Sequence, residues 1–437
     1  MNQFINKFYL DARKHPDKYL LALLAFLLPF ERIPSFSFAG VTLRPSLFIG
    51  GLIILRAIWF VMKFKKFKPN SLMVPLALFV LWLFILIPGS INHMRATQVF
   101  IFTLYTSALA VSVGIIYQKQ YLAAIIKGLF AGAAATSLFA IFQYFGDLYG
   151  LPQTVTGLAT RYKWNLFGYA RPQATALEPL YFASYLLLPI AVVVSILLFG
   201  SYKKSRLLWG LLFLFSLPLF LTVSRGGLLG YIGLALTLVV IYACMPKHRS
   251  GKIWPTLAIM LGAYLCSILI ITVFHKPIED TQSKNTGSGS YVSHVTDINE
   301  NSDSRAMSRA LAIDLIKKYP IMGIGPGQFG PATNNNQQAY FGWPIVNNEP
   351  LELLAETGVV GFALLLSFFG ALVWAAVRIL QTKKWQPEHI VVLALLGYLT
   401  AQAIQYQTFS TLYVIQLWFA VGLLLGVVGF KAKTNEK

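Results

Sequence analysis

The sequence predicts an all-α polytopic membrane protein with about twelve transmembrane helices and two long extracytoplasmic loops, and three observations carry that expectation. Hydrophobic residues fill 56% of the 437 positions and charged residues only 12%, about half the roughly 25% usual in soluble domains. Apolar runs recur along the whole chain at lengths near the roughly 20 residues that a helix needs to cross a bilayer. The formal net charge of +20 sits largely in short lysine and arginine runs between those segments. That is the pattern of membrane topology, so the bilayer and not a nucleic acid is the expected partner.

The first apolar run, YLLALLAFLLPF, is centred on Ala25 and ends in ERIP. It lacks a small-residue cleavage site and so reads as a span, not as a removable leader. Further centres fall at Ile54, Phe79, Ser107, Ala134, Pro189, Phe215, Thr237, Leu265, Ser367, Leu396 and Ala420. Several contain glycine or proline, which neighbouring helices accommodate within a membrane.

Orientation follows from the basic residues. Lys7, Arg13, Lys14 and Lys18 precede the first span, and Lys63, Lys65, Lys66 and Lys68 follow the second. Lys203, Lys204 and Arg206, then Lys247, Arg249 and Lys252, then Arg378, Lys383 and Lys384 occupy later even gaps, and Lys431, Lys433 and Lys437 lie in the tail. All fall on one face, which the positive-inside rule makes cytoplasmic, so both termini are expected inside. The whole chain, 1–437, reads as a single integral membrane domain. The opposite face receives a first loop at 147–178 and a large loop at 275–349, and loops of that length in a compact protein are usually functional.

The cysteines Cys244 and Cys266 lie in or beside apolar runs without metal or redox spacing, and the six histidines are scattered. No metal site and no cofactor is expected. In the large loop, RAMSRALAIDLIKKYP has helical apolar spacing after a possible cap at Ser304 and stops at Pro320. GIGPGQFG then reads as a glycine turn; it lacks the Lys-Ser/Thr ending of a phosphate-binding P-loop.

Cations on the outer face run against the topology rule and call for a reason. Arg161, Lys163, Arg171, Arg225, Arg305 and Arg309 are several that stand individually there. Arg225 stands where two apolar runs turn, beside Gly226 and Gly227, which permit close approach of backbone or ligand. It either snorkels to the headgroups or holds an anion, and a guanidinium fork suits a lipid diphosphate lying at that depth.

Three segments carry a resemblance. TVSRGGLLG resembles the SRG element of the O-antigen ligase/polymerase family. SDSRAMSRALAIDLIKKYPIMGIGPGQFG resembles its outer-loop signature, and NNEPLELLAETGVVGF its HNxxLxxxxExG element, in the family's order. The resemblance implies a GT-C-like membrane glycosyltransferase on the outer face of the bacterial cytoplasmic membrane. It would work without metal, taking a glycan from an undecaprenyl-diphosphate donor to a glycan, lipid or protein acceptor. Carried over by position, Arg225 and Arg305 would hold the diphosphate.

The chain departs from the pattern at Asn347, where ligases carry a histidine proposed to activate the acceptor. Asparagine positions a hydroxyl but does not take its proton at neutral pH. Glu349 is the nearest carboxylate and reads either as the base or as a residue of the helix start before Pro350. Glu352 and Glu356 follow at helical spacing, where the helix dipole alone accounts for acidic residues. ARPQATALEPLYFASYL resembles a further family element with Ala174 in a glycine position. Its Arg171 and Glu178 either bind substrate or pair to fix the loop.

The competing reading, a lipid-linked oligosaccharide transporter or flippase, requires mid-span charges and related halves. Arg56 and Lys127 lie near cytoplasmic ends, and no internal repeat is evident. Ligase and polymerase share donor chemistry, and the sequence does not name the acceptor.

Overall fold

The computed structural model describes residues 11, 14–33, 36–38, 41–64, 71–200, 205–276, 302–333, 343–381, 385–410 and 412–429. In order, the helices are α1 (Pro16–Leu27), α2 (Pro45–Phe64), α3 (Val74–Leu86), α4 (His93–Ile116), α5 (Leu122–Leu148), α6 (Gln153–Thr156), α7 (Trp164–Phe167) and α8 (Pro179–Phe199). They continue with α9 (Ser205–Leu221), α10 (Arg225–Cys244), α11 (Ile253–Val273), α12 (Ser302–Lys318), α13 (Phe329–Thr333), α14 (Glu349–Leu380), α15 (Pro387–Gln405) and α16 (Ile415–Val428). Proline is the first residue of α1, α2, α8 and α15, a position where its fixed φ suits the helix and its missing N–H costs nothing.

Each of the apolar centres read from the sequence lies on a helix. Among the described residues, 9 helices are long and apolar enough to cross a membrane; α9 and α16 are shorter apolar helices, and α1 has 12 residues. The hairpin of β1 (Phe36–Phe38) and β2 (Val41–Leu43), with Ser37 opposite Thr42, is an addition that hydropathy did not indicate.

The contacts divide the chain into two compact units. The first comprises Met1–Ala57, Ile116–Asp297 and Gln386–Gln402. Its centre is α8, whose most apolar window is 94% buried, against 22% for the corresponding window of α2. A helix buried on every side is apolar all round, as PLYFASYLLLPIAVVVSILLF is, whereas α2 leaves an apolar flank for lipid. Around α8 pack α9, α10 and α11, while α5 lies against α1 and α9. Ser184 in α8 is satisfied by Gln402 of α15, whose Nε2 donates to its Oγ at 3.0 Å.

The second unit comprises Ile58–Ile115, Ile298–Trp385 and Ala403–Lys437. Its long helix α14 packs against α3, α12 and α16. Trp82 of α3 donates Nε1–H to the carbonyl of Thr357 at 2.9 Å, and Phe369 meets Trp418 of α16 at 6.4 Å between ring centres.

Candidate active site

In the first unit the site is built around a break between two helices. α9 ends at Leu221, and α10 begins at Arg225 after a link of Thr222, Val223 and Ser224. Ser224 caps α10, accepting from the Gly227 N–H at 3.0 Å. Val223 is held at φ 50°, a left-handed conformation costly for a β-branched residue. That geometry leaves the Thr222 and Val223 carbonyls to accept from Arg171, whose Nε reaches the first at 3.1 Å and Nη2 the second at 3.4 Å. The Arg171 guanidinium also lies over Phe167, at 5.3 Å, and Tyr162, at 6.0 Å.

Burial pushes the Arg171 guanidinium below its ordinary range; Tyr169, Tyr162 and Glu178 oppose the shift, and the nearby Arg225 adds to it. Tyr169 answers to both arginines. Burial pushes its hydroxyl up to about 12 against their pull. Arg171 and Arg225 are thus brought within electrostatic reach of each other at the first turn of α10, where the helix dipole also favours an anion.

Two sequence expectations are refined here. Glu178 bonds to Arg161, at 3.1 Å, while Arg171 bonds backbone carbonyls, so the loop-fixing pair is Arg161–Glu178. Gly227 serves helix packing: a Cβ there would stand 2.7 Å from the Ala183 Cβ of α8.

In the second unit the loop signature and the ExG element fold onto each other. α12 begins at Ser302, two residues before Ser304, and ends before Pro320. The glycine turn that follows donates the Ile324 N–H to Ala355 O at 3.0 Å and the Gly325 N–H to Glu356 O at 2.8 Å. Gly358 stands at φ 65° and interrupts α14, and its N-terminal neighbours receive the turn. A Cβ on Gly358 would collide with the Ile321 carbonyl, and one on Gly323 with the Glu356 carbonyl. Two backbones approach there without side chains between them, which explains both glycines.

The three glutamates stand at i, i+3 and i+7, on one face of the first turns of α14. Glu356 is buried, and both its oxygens are committed: Oε2 accepts from the Gly327 N–H at 2.7 Å and Oε1 from the Phe329 N–H at 3.1 Å. Glu352 accepts from the Val346 N–H at 2.8 Å and from the Ser410 hydroxyl. Glu349 donates its backbone N–H to Tyr406 O at 2.9 Å, yet no hydrogen bond to its carboxyl is found among the described residues.

Beside it, Asn348 caps α14 through Leu351 N–H, and Asn347 stands at φ 55° with its side chain half-exposed. Arg305 is on α12, one turn before Arg309, whose Nη2 donates to Gln407 O at 3.2 Å; the same carbonyl accepts from Asn348.

Two residues here escaped the sequence reading. Arg95, at the start of α4, lies within electrostatic reach of Glu352 and Glu356, and its Nε is buried without a hydrogen-bond partner among the described residues. The signal was available: it is a cation in the short gap before the fourth span, which the charge pattern places outside. Tyr413 is the other; burial first, then the three glutamates, push its hydroxyl well above its ordinary range. Among the described residues, no three His, Cys, Asp or Glu side chains gather as metal ligands would.

Arg171, Glu178 and Arg225 therefore belong to the first unit, and Arg305, Asn347 and Glu349 to the second. One comparison bears on all of this. Residues 210–366 match the O-antigen ligase family. The matched stretch holds Arg225, Arg305, the glycine turn, Asn347 and the three glutamates; Arg95, Arg171, Glu178 and Tyr413 lie outside it. The O-antigen ligase/polymerase resemblance read from the motifs is thereby shown over that stretch, and it supports a function in membrane glycan ligation or polymerisation. No curated protein matches the chain.

Proposed function

We propose that the protein transfers or polymerises a glycan from an undecaprenyl-diphosphate donor on the outer face of the cytoplasmic membrane, with a GT-C-like architecture of about twelve spans and both termini inside. The observation that carries this is the O-antigen ligase match, whose only free-standing carboxyl among the described glutamates of α14 is that of Glu349. The motif resemblance assigns the diphosphate to Arg225 and Arg305 and the donor side to Arg171 and Glu178, each by its place in the sequence. Asn347 orients the acceptor hydroxyl through its amide, and Glu349 takes the proton as the acceptor oxygen bonds to the anomeric carbon. The bond from that carbon to the diphosphate oxygen breaks, and undecaprenyl diphosphate leaves with the electron pair.

Fixed donors aimed at the departing diphosphate act where charge develops, which is where electrostatic catalysis is strongest. Asn347 in place of the ligases' histidine favours polymerisation over ligation. The test is the product: purified protein given a lipid-linked repeat unit alone should lengthen it. Failure to lengthen it, with transfer appearing only when a separate acceptor is supplied, would make the protein a ligase. No transfer under either condition would overturn the enzyme reading.

A further inference from the structure

The ERI segment, Glu31–Ile33, follows α1 and takes no part in the chemistry above, yet it grips the Arg171 loop at several points. The Glu31 and Arg32 N–H groups both donate to Thr175 O, at 3.2 and 2.8 Å, and Thr175 Oγ1 donates back to Pro29 O at 2.7 Å. Glu31, buried, accepts the Leu177 N–H at 3.3 Å and faces Arg44 at 3.7 Å. Arg32 donates Nη2–H to Gly157 O. The Gln173 amide oxygen, turned toward that guanidinium, accepts from Nε and Nη2 at 2.8 Å each.

Between these grips lies Ala174, at φ 48°, a strained conformation for a residue with a Cβ. From the other side, buried Gln143 of α5 accepts the Ala174 N–H at 2.7 Å and donates to Ala174 O at 3.2 Å and Thr156 O at 3.0 Å. One guanidinium fork thus joins the start of the loop, at Gly157, to its end, at Gln173. A strained conformation persists only where its surroundings over-determine it, and here every partner is in place.

We propose that Glu31 and Arg32 are positioning residues for donor binding: they clamp the loop that presents Arg171, and donor affinity depends on that clamp. The inference rests on the donor-side reading of Arg171, which lies within electrostatic reach of Arg225. Two measurements on the full-length protein in detergent test it: hydrogen–deuterium exchange, and affinity for undecaprenyl diphosphate. In Arg32→Ala and Glu31→Ala, amides 171–177 should exchange faster while those of α14 stay protected. Affinity should fall about tenfold, the scale of one lost charge-assisted hydrogen bond. Arg32→Lys should recover little, since an ammonium cannot span Gly157 and Gln173 as a fork does.

Unchanged exchange at 171–177 would overturn the clamp, as would faster exchange with wild-type affinity. Arg225→Ala separates the two ideas. Loss of affinity there but not in Arg32→Ala removes the clamp and leaves the diphosphate reading standing. The reverse pattern removes Arg225 from the diphosphate site and leaves the clamp.

Discussion

Glu349 and Glu356 lie two turns apart on one helix face, but their carboxyls are held in different ways, and substitution should separate them. Glu356→Gln puts an amide NH₂ where two backbone N–H groups point, leaving one unpaired at a cost of about 1–3 kcal/mol. It should lower the melting temperature of the purified protein. Glu349→Gln should melt like wild type and cut turnover by roughly 10²–10⁴-fold, the usual effect of removing a general base. Wild-type turnover would reduce Glu349 to the first residue of a helix.

For Arg225→Ala, a loss of about 1.5–3 kcal/mol in charge-assisted bonding corresponds to roughly tenfold or more in kcat/KM, without loss of expression. Glu31 adds a pH signature. Burial raises its carboxyl above the ordinary range, Arg44 and the Leu177 N–H opposing. The folded state therefore holds a proton that the unfolded state gives up, and this contribution to stability fades as pH rises from the ordinary carboxylate value through the raised one. Thermal melts of Glu31→Gln across that window should show a shallower decline than wild type.

At this scale the sequence disclosed the residues that sit inside motifs, Arg225, Asn347 and Glu349. It marked Arg95 only as an outer-face cation and Tyr413 not at all, because both reach the glutamates only through folding from distant parts of the chain. Nor did it disclose the backbone strain at Val223, since nothing in TVSR marks a valine for positive φ.

Among elements, α14 shows how much patterning conveys and where it stops. NNEPLELLAETGVVGF reads correctly as a helix start with an acidic first turn. The break at Gly358 is visible only when the glycine turn of Ile321–Gln328 is seen lying on it. Gly358→Ala combines the cost of a Cβ at φ 65°, ψ −175°, a region nearly reserved for glycine and worth about 1–3 kcal/mol, with a collision against the Ile321 carbonyl. It should destabilise the protein more than Glu356→Gln does, measured by the same melt. Helix centres were legible because an apolar run long enough to cross a bilayer has few alternatives. The β1–β2 hairpin was not, because three residues per strand vanish inside a hydropathy window set for spans. The start of α12 at Ser302 moved because helix ends are set by local hydrogen bonding more than by periodicity.

For the whole molecule, the ladder of lysines and arginines makes a topological prediction independent of any side-chain geometry. Ser288 lies outside the described residues, in the large loop read as extracytoplasmic. With Cys244 and Cys266 replaced, a cysteine at Ser288 should react with a membrane-impermeant thiol reagent in intact cells, and one at Lys204 should not. The opposite labelling would invert the orientation and remove the donor chemistry from the outer face.

The left-handed φ of Asn347 reaches beyond its own side chain. Asparagine, aspartate and histidine are the residues other than glycine that occupy this region most readily. The backbone at 347 therefore admits an amide, a carboxylate or an imidazole alike and disfavours branched or bulky residues, which stand at such a φ only under constraint, as Val223 does. A proton acceptor and a neutral hydrogen-bonding group are interchangeable at that point without refolding anything around it. Asn347→His should fold and melt as the parent does, so any change in turnover or acceptor preference would report chemistry alone. The slot separates what the fold requires from what the reaction requires, and leaves the second open to a single codon.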